Sequence, residues 1–260
     1  MKKYILLFLL LPLLIFSQGN GNKINYLVEY RLSYLTDSTD VKSQQQEDFK
    51  LYITDSKTYF ASSNYILQDS ILKSMKETKV LNLSAIPHTK FKYSLVKENS
   101  TVNYYESIVN YKLSYNEPLN LMWKLLEEKK IIDNKVCHKA EVEYGNRKWI
   151  AWFTEEIPIH QGPYKFQGLP GLIIEIYDTQ NNHNFKLIGL KKTEMPDYLV
   201  FSSKFLDSHK KISKSDFLKT EKQIKNNLVK ELSLSGFTVS SESLPSVKSN
   251  LKKNNNTIEK

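Results

Sequence analysis

A single cysteine, Cys137, stands in the 260 residues, so no internal disulfide is available to brace the fold. In an oxidising compartment a lone thiol is safest when buried. A reactive or metal-binding role would need an adjacent base or further ligands, and the sequence offers neither in recognisable form. The five histidines, at 88, 138, 160, 183 and 209, show no His-x-x-x-His spacing, so no zinc or haem site is expected, nor any cofactor. No Gly-x-Ser-x-Gly elbow marks a serine hydrolase. Cys137 and His138 are neighbours, but successive residues of a strand face opposite ways, which bars a nucleophile–base pair there. Glycine and proline are scarce, eight of each, and no internal repeat is visible. The longest apolar run, Tyr4 to Phe16, has thirteen residues, short of the roughly 20 needed for a lasting membrane span.

That run has a different meaning. Lys2 and Lys3 precede it and Ser17 follows it, the order of charge, apolar core and small residue that a signal peptidase reads. Residues 1–17 are therefore expected to be a signal peptide cut before Gln18, with no membrane span afterwards. No cysteine lies near the junction to carry a lipid. The expected address is the periplasm or cell envelope. Loss of Lys2 and Lys3 takes the formal charge from +9 to +7. The lysines are mostly scattered, which fits a solvated surface, and no nucleic-acid partner is expected of an exported chain.

Beyond the signal, strands dominate. Ile24, Tyr26, Val28, Tyr30, Leu32 and Tyr34 alternate with mostly polar neighbours, as do Phe49, Leu51 and Ile53, and later Val136 to Tyr144. Gly145-Asn146 reads as a two-residue hairpin turn into Arg147–Phe153. That stretch is apolar on both parities and is predicted to be the centre of the sheet. Leu172–Ile176 and Phe185–Leu190 read as hairpin partners. Helices are predicted at 63–77 and, most strongly, at 214–234, where Phe217, Ile224, Leu228 and Leu232 mark one face. The pattern gives an α+β, mainly antiparallel β fold, a large curved sheet or partly closed barrel with helix cover. One domain is expected over 18–236. Residues 237–260, rich in Ser, Lys and Asn, are expected to form a disordered polar tail.

Three of the eight glycines and three of the eight prolines fall between Pro158 and Gly171. This density predicts a loop of fixed shape, with a type II turn over Leu169-Pro170-Gly171-Leu172. It precedes a strand rather than a helix and lacks a Gly-Lys-Ser/Thr ending, which argues against a phosphate cradle. Gly168-Leu169-Pro170-Gly171-Leu172-Ile173 spells GLPGLI, and the chain resembles the GLPGLI family of exported proteins from Gram-negative bacteria. Trp149–Thr154, Ile157–Ile159, Gly162–Phe166 and the stretch from Trp123 to Ala140 share that family's pattern. The resemblance spans about residues 20–190; it implies a signal peptide and a mainly β exported domain, and no reaction.

The loop reads either as a rigid corner that sets strand register or as one wall of a binding groove. In the second case Trp149, Trp152, Tyr164, Phe166, Gly168, Leu169, Pro170 and Gly171 are the candidate binding residues. No catalytic residue is singled out. Glu155, Glu156, Glu175 and Asp178 read as surface charge, with an ion pair such as Arg147–Glu175. The functional expectation is a non-catalytic envelope protein that binds an apolar, lipid-like ligand, a peptide or a partner protein. The alternative is an envelope hydrolase or peptide-processing enzyme whose site forms only in three dimensions. A ligand carrier requires an apolar cavity; a docking protein has a filled interior.

Overall fold

The computed structural model describes residues 23–200, 203–236, 240–242, 244–245, 249 and 256–259. The expected signal at 1–17 lies outside the described residues. Twelve strands form one sheet: β1 Lys23–Leu35, β2 Gln44–Ile53, β3 Lys57–Ser62, β4 Tyr93–Glu98, β5 Thr101–Ile108, β6 Tyr111–Pro118, β7 Lys124–Ile132, β8 Lys135–Tyr144, β9 Arg147–Thr154, β10 Leu172–Asp178, β11 His183–Pro196 and β12 Lys210–Lys211. Their order across the curved, open sheet is β12, β6, β5, β4, β3, β2, β1, β11, β10, β9, β8, β7. Only the short β12–β6 pairing is parallel; the others are antiparallel. This is the mainly antiparallel architecture that the alternating sequence predicts.

Register decides which side chains share a face. Tyr115 lies opposite Tyr104, Tyr104 opposite Leu95, Leu95 opposite Phe60, and Phe60 opposite Leu51. The row continues through Val28, and its neighbours Tyr30, Phe49, Phe185, Ile176 and Ala151 lie on the same side. Tyr30, Phe49, Phe60, Trp149, Phe166 and Phe185 are fully buried on this inner face, which is filled with rings. Phe49 and Phe60 stack at 5.0 Å, and Tyr104 and Tyr115 at 4.9 Å.

The outer face carries a smaller cluster of Ile24, Tyr52, Tyr59, Ala61 and Val96. Helix α1, Ser63–Thr78, lays Tyr65 and Ile66 against it, and α2, Ser203–Asp207, adds Phe205 and Leu206. Ser62 caps α1 by accepting from the Tyr65 N–H at 3.2 Å. The long helix predicted at 214–234 is two helices, α3 Lys214–Asn226 and α4 Leu228–Leu234. Asn227 leaves helical geometry between them, and its side-chain amide donates to the Gln223 carbonyl. Phe217 and Ile224 of α3 are buried against the inner face, whereas Leu228 and Leu232 are half-buried.

The Gly145-Asn146 hairpin forms as expected, with φ of +59° and +57°. One other expectation needs correction. Strand β9 is third from one end of the sheet rather than at its centre. Its apolar residues on both parities are covered separately. Trp149 and Phe153 face the motif loop, while Trp152 faces outward under the Lys130 ammonium, 4.3 Å from its ring. Strands β10 and β11 pair antiparallel as expected, over Glu175–Tyr177, and the rest of β11 continues along β1.

Candidate functional site

The loop between β9 and β10 folds back into the curve of the sheet. Gln161 bridges Gln167, the Gly168 N–H donates to the His160 carbonyl at 3.0 Å, and the Leu172 N–H to the Ile157 carbonyl at 3.0 Å. Side chains from distant strands fasten it: Trp123 Nε1 donates to the Gln167 carbonyl at 2.8 Å, and Tyr30 Oη to the Ile173 carbonyl at 2.7 Å. Gly168 takes φ +92°, which L side chains avoid. Gly171 does not take the positive φ that the predicted type II turn requires. It is needed for a different reason: a Cβ there would stand 2.0 Å from the Thr154 carbonyl oxygen. The loop is thus a plug between the two arms of the sheet.

Of the predicted groove residues, Trp149, Tyr164, Phe166 and Leu169 are packed together in the core, with Trp149 and Phe166 rings 4.8 Å apart. Gly171 is buried, Gly168 and Pro170 are exposed, and Trp152 is on the other face of the sheet. The structure brings four of them together in the core.

What gathers beside this plug is a polar cluster. Tyr164 adopts φ +53°, an uncommon conformation for a non-glycine residue, and so turns Lys165 toward the opposite arm. Lys165 is fully buried, its ammonium 5.3–5.8 Å from the rings of Tyr104, Tyr115, Tyr144 and Tyr164. It donates to Tyr115 Oη at 3.1 Å, to Glu117 Oε1 at 2.5 Å and to Glu259 Oε1. Lys214, at the start of α3, donates to the second oxygens of the same carboxylates, at 2.5 Å to Glu117 and 3.0 Å to Glu259. Two cations and two anions alternate in a closed ring. An unpaired buried ammonium would cost several kcal/mol, which this ring and its aromatic wall offset.

Glu259 belongs to the stretch expected to be a disordered tail. Most of 237–255 lies outside the described residues, but residues 256–259 are docked on the inner face, correcting that expectation at its end. Ile258 is buried in the main core. Arg147 grips the segment: its Nη2 donates to Asn256 Oδ1 at 2.6 Å and to the Thr257 carbonyl at 2.7 Å, and its Nε to the Ile258 carbonyl at 3.2 Å. Nη1 binds Asp178 at 2.7 Å. The expected partner of Arg147, Glu175, lies on the outer face with Lys130 and Lys186, because β10 alternation sets 175 and 178 on opposite sides.

Burial alone would raise the Glu259 carboxyl, but Lys165, Tyr164 and Lys214 outweigh it and hold the group at about 2. Burial lowers the Lys214 ammonium, and its two carboxylate partners reverse this to a net rise. Tyr164 and Tyr144 are pushed upward by burial first and by Glu259 second. Both donate to that carboxylate, Tyr144 at 3.1 Å. Cys137 is buried, and desolvation raises its thiol. Among the described residues no three His, Cys, Asp or Glu side chains are grouped to hold a metal ion. Sequence reasoning missed Arg147, Lys165, Lys214 and Glu117 as a set because four separate elements supply them. The one local signal was a lysine set between Tyr164 and Phe166 inside a rigid loop.

Comparison with known proteins adds a local family match and a similar fold. Residues 122–175 match a family model described as a protein of unknown function, Porph_ging. No curated protein sequence matches the chain. Solved structures of PNGF-II are similar in fold: one in the P21 space group has a TM-score of 0.51 at 12% identity over 75% of this chain, and one in the C2 space group has 0.50 at 13% over 77%. In both, the match spans 32% of the PNGF-II chain, about a third of its length. The stretch that spells GLPGLI and the β7–β9 hairpins before it are the part that carries the family likeness.

Proposed function

We propose that this chain is an exported, non-catalytic binding protein of the cell envelope that docks a peptide or partner protein rather than storing an apolar ligand. The observation that carries this reading is Arg147 gripping two backbone carbonyls of the 256–259 segment while Lys165 and Lys214 take its carboxylate. The filled inner face supports the same choice, since a lipid carrier needs open apolar volume where Tyr30, Phe49, Phe60 and Phe185 stand. Native mass spectrometry and cross-linking of the chain taken from its own envelope test this. The expected result is a chain lacking residues 1–17, free of lipid mass and cross-linked to a polypeptide. A lipid adduct lost on refolding, or no polypeptide cross-link, would remove the reading.

A further inference from the structure

We infer that the basic pocket formed by Arg147, Lys165 and Lys214 with Tyr144 and Tyr164 is a recognition site for an acidic peptide, and that residues 256–259 are its exchangeable internal occupant. The inference deepens the binding reading above and rests on it.

The contacts divide by what they read. Arg147 reads mostly main chain, donating to the carbonyls of Thr257 and Ile258, with one further contact to the Asn256 side-chain oxygen, so this part of the site is only weakly selective for side chains. Ile258 fills an apolar position that continues into the core. Lys165, Lys214, Tyr144 and Tyr164 converge on one carboxylate and demand an acidic side chain at the next position. The class of ligand is therefore a peptide with an apolar residue directly before Glu or Asp.

The charge balance says why the site does not stay empty. Asp178 neutralises Arg147, and Glu117 is shared by Lys165 and Lys214. Without residues 256–259 one positive charge is uncompensated among desolvating tyrosine rings, and three Arg147 donor contacts lose their acceptors. An incoming acidic peptide restores both. The occupant is joined to the end of α4 by residues 237–255, rich in Ser, Lys and Asn.

The test uses the full chain and a labelled peptide of sequence Asn-Asn-Thr-Ile-Glu-Lys, followed by fluorescence anisotropy. Glu259→Gln weakens the internal occupant, so the peptide is expected to bind that variant at least tenfold more tightly than the unaltered chain. The same peptide with Gln in place of Glu is expected to bind neither. Near-UV circular dichroism of the Glu259→Gln chain keeps the result interpretable: its tyrosine and tryptophan bands should match the unaltered chain. Equal binding to both chains, equal binding of the Gln peptide, or no binding to a correctly folded variant overturns the proposal. Loss of the near-UV bands also overturns it, since the segment is then part of the core. Concentration-dependent dimers of the unaltered chain that Glu259→Gln abolishes would instead assign the site to tail exchange between copies. A polypeptide cross-linked in the envelope despite failure here would leave the general binding reading standing at another surface.

Discussion

Single residues carry the tightest constraints in this molecule. Gly171 sits against the Thr154 carbonyl, and the obstacle is backbone, which cannot rotate away. Gly171→Ala is expected to cost about 1–3 kcal/mol, the usual range for overpacking a filled site, read as a lowered urea midpoint. Gly168→Ala meets open space and is opposed by its positive φ alone. Lys165 is the other critical residue. Lys165→Met keeps the apolar stem but leaves Glu259 with only Lys214 as its cation, so the 256–259 segment should exchange its amide hydrogens faster while β1 and β2 stay protected. The loop itself was legible at this scale, because its Gly and Pro density is visible in the sequence. The roles within it were not: the expected turn at Leu169–Leu172 rested on φ, and close approach of a distant strand end has no local signature.

Elements explain what was legible and what was lost. Alternation in β1, β2 and β8 identified strands because each buries one face, and period two survives wherever that holds. It failed to place β9, whose Trp149 and Trp152 are both buried, because cover on two sides comes from a loop on one face and lysine stems on the other as readily as from neighbouring strands. The 214–234 pattern continued through Asn227 because Leu228 and Leu232 keep helical spacing although they pack only partly. The start of α1 is determined better. Ser62 accepts from the Tyr65 N–H and donates to the buried Glu47 carboxylate. Ser62→Ala removes a cap worth about 1 kcal/mol and takes a donor from a buried acid, for a total loss of roughly 2–3 kcal/mol in chemical denaturation. The candidate cluster was the least legible, since Glu117 of β6, Arg147 of β9, Lys165 of the loop and Lys214 of α3 meet only once the sheet has curved around its plug.

At the scale of the whole molecule, buried charges make stability a structured function of pH. Glu259 is held at about 2 against an ordinary 4.5, so the unfolded chain binds more protons in that window and stability should rise from pH 2 to 4.5. Burial, with Glu221 adding to it, lifts Glu106 to about 7, so the folded chain binds more protons between 4.5 and 7 and stability should fall there. Desolvation lowers Lys97 to about 7, and between pH 7 and the ordinary 10.5 the unfolded chain again binds more protons, so stability should rise. The expected profile has a dip near neutrality, measured as urea midpoints across pH. Lys97→Met should abolish the alkaline rise, and Glu259→Gln the acidic one. A profile flat from pH 4.5 to 9 would show that these groups are solvated.

The central claim is that an acidic segment occupies the inner-face pocket reversibly, and the amide resonances of Thr257 and Ile258 in the full-length chain report it most directly. Titrating the unlabelled peptide Asn-Asn-Thr-Ile-Glu-Lys into isotope-labelled protein should move both resonances from docked to random-coil positions, while those of β1 and β2 stay fixed. Resonances that remain docked at saturating peptide would contradict the account and make residues 256–259 a permanent part of the fold.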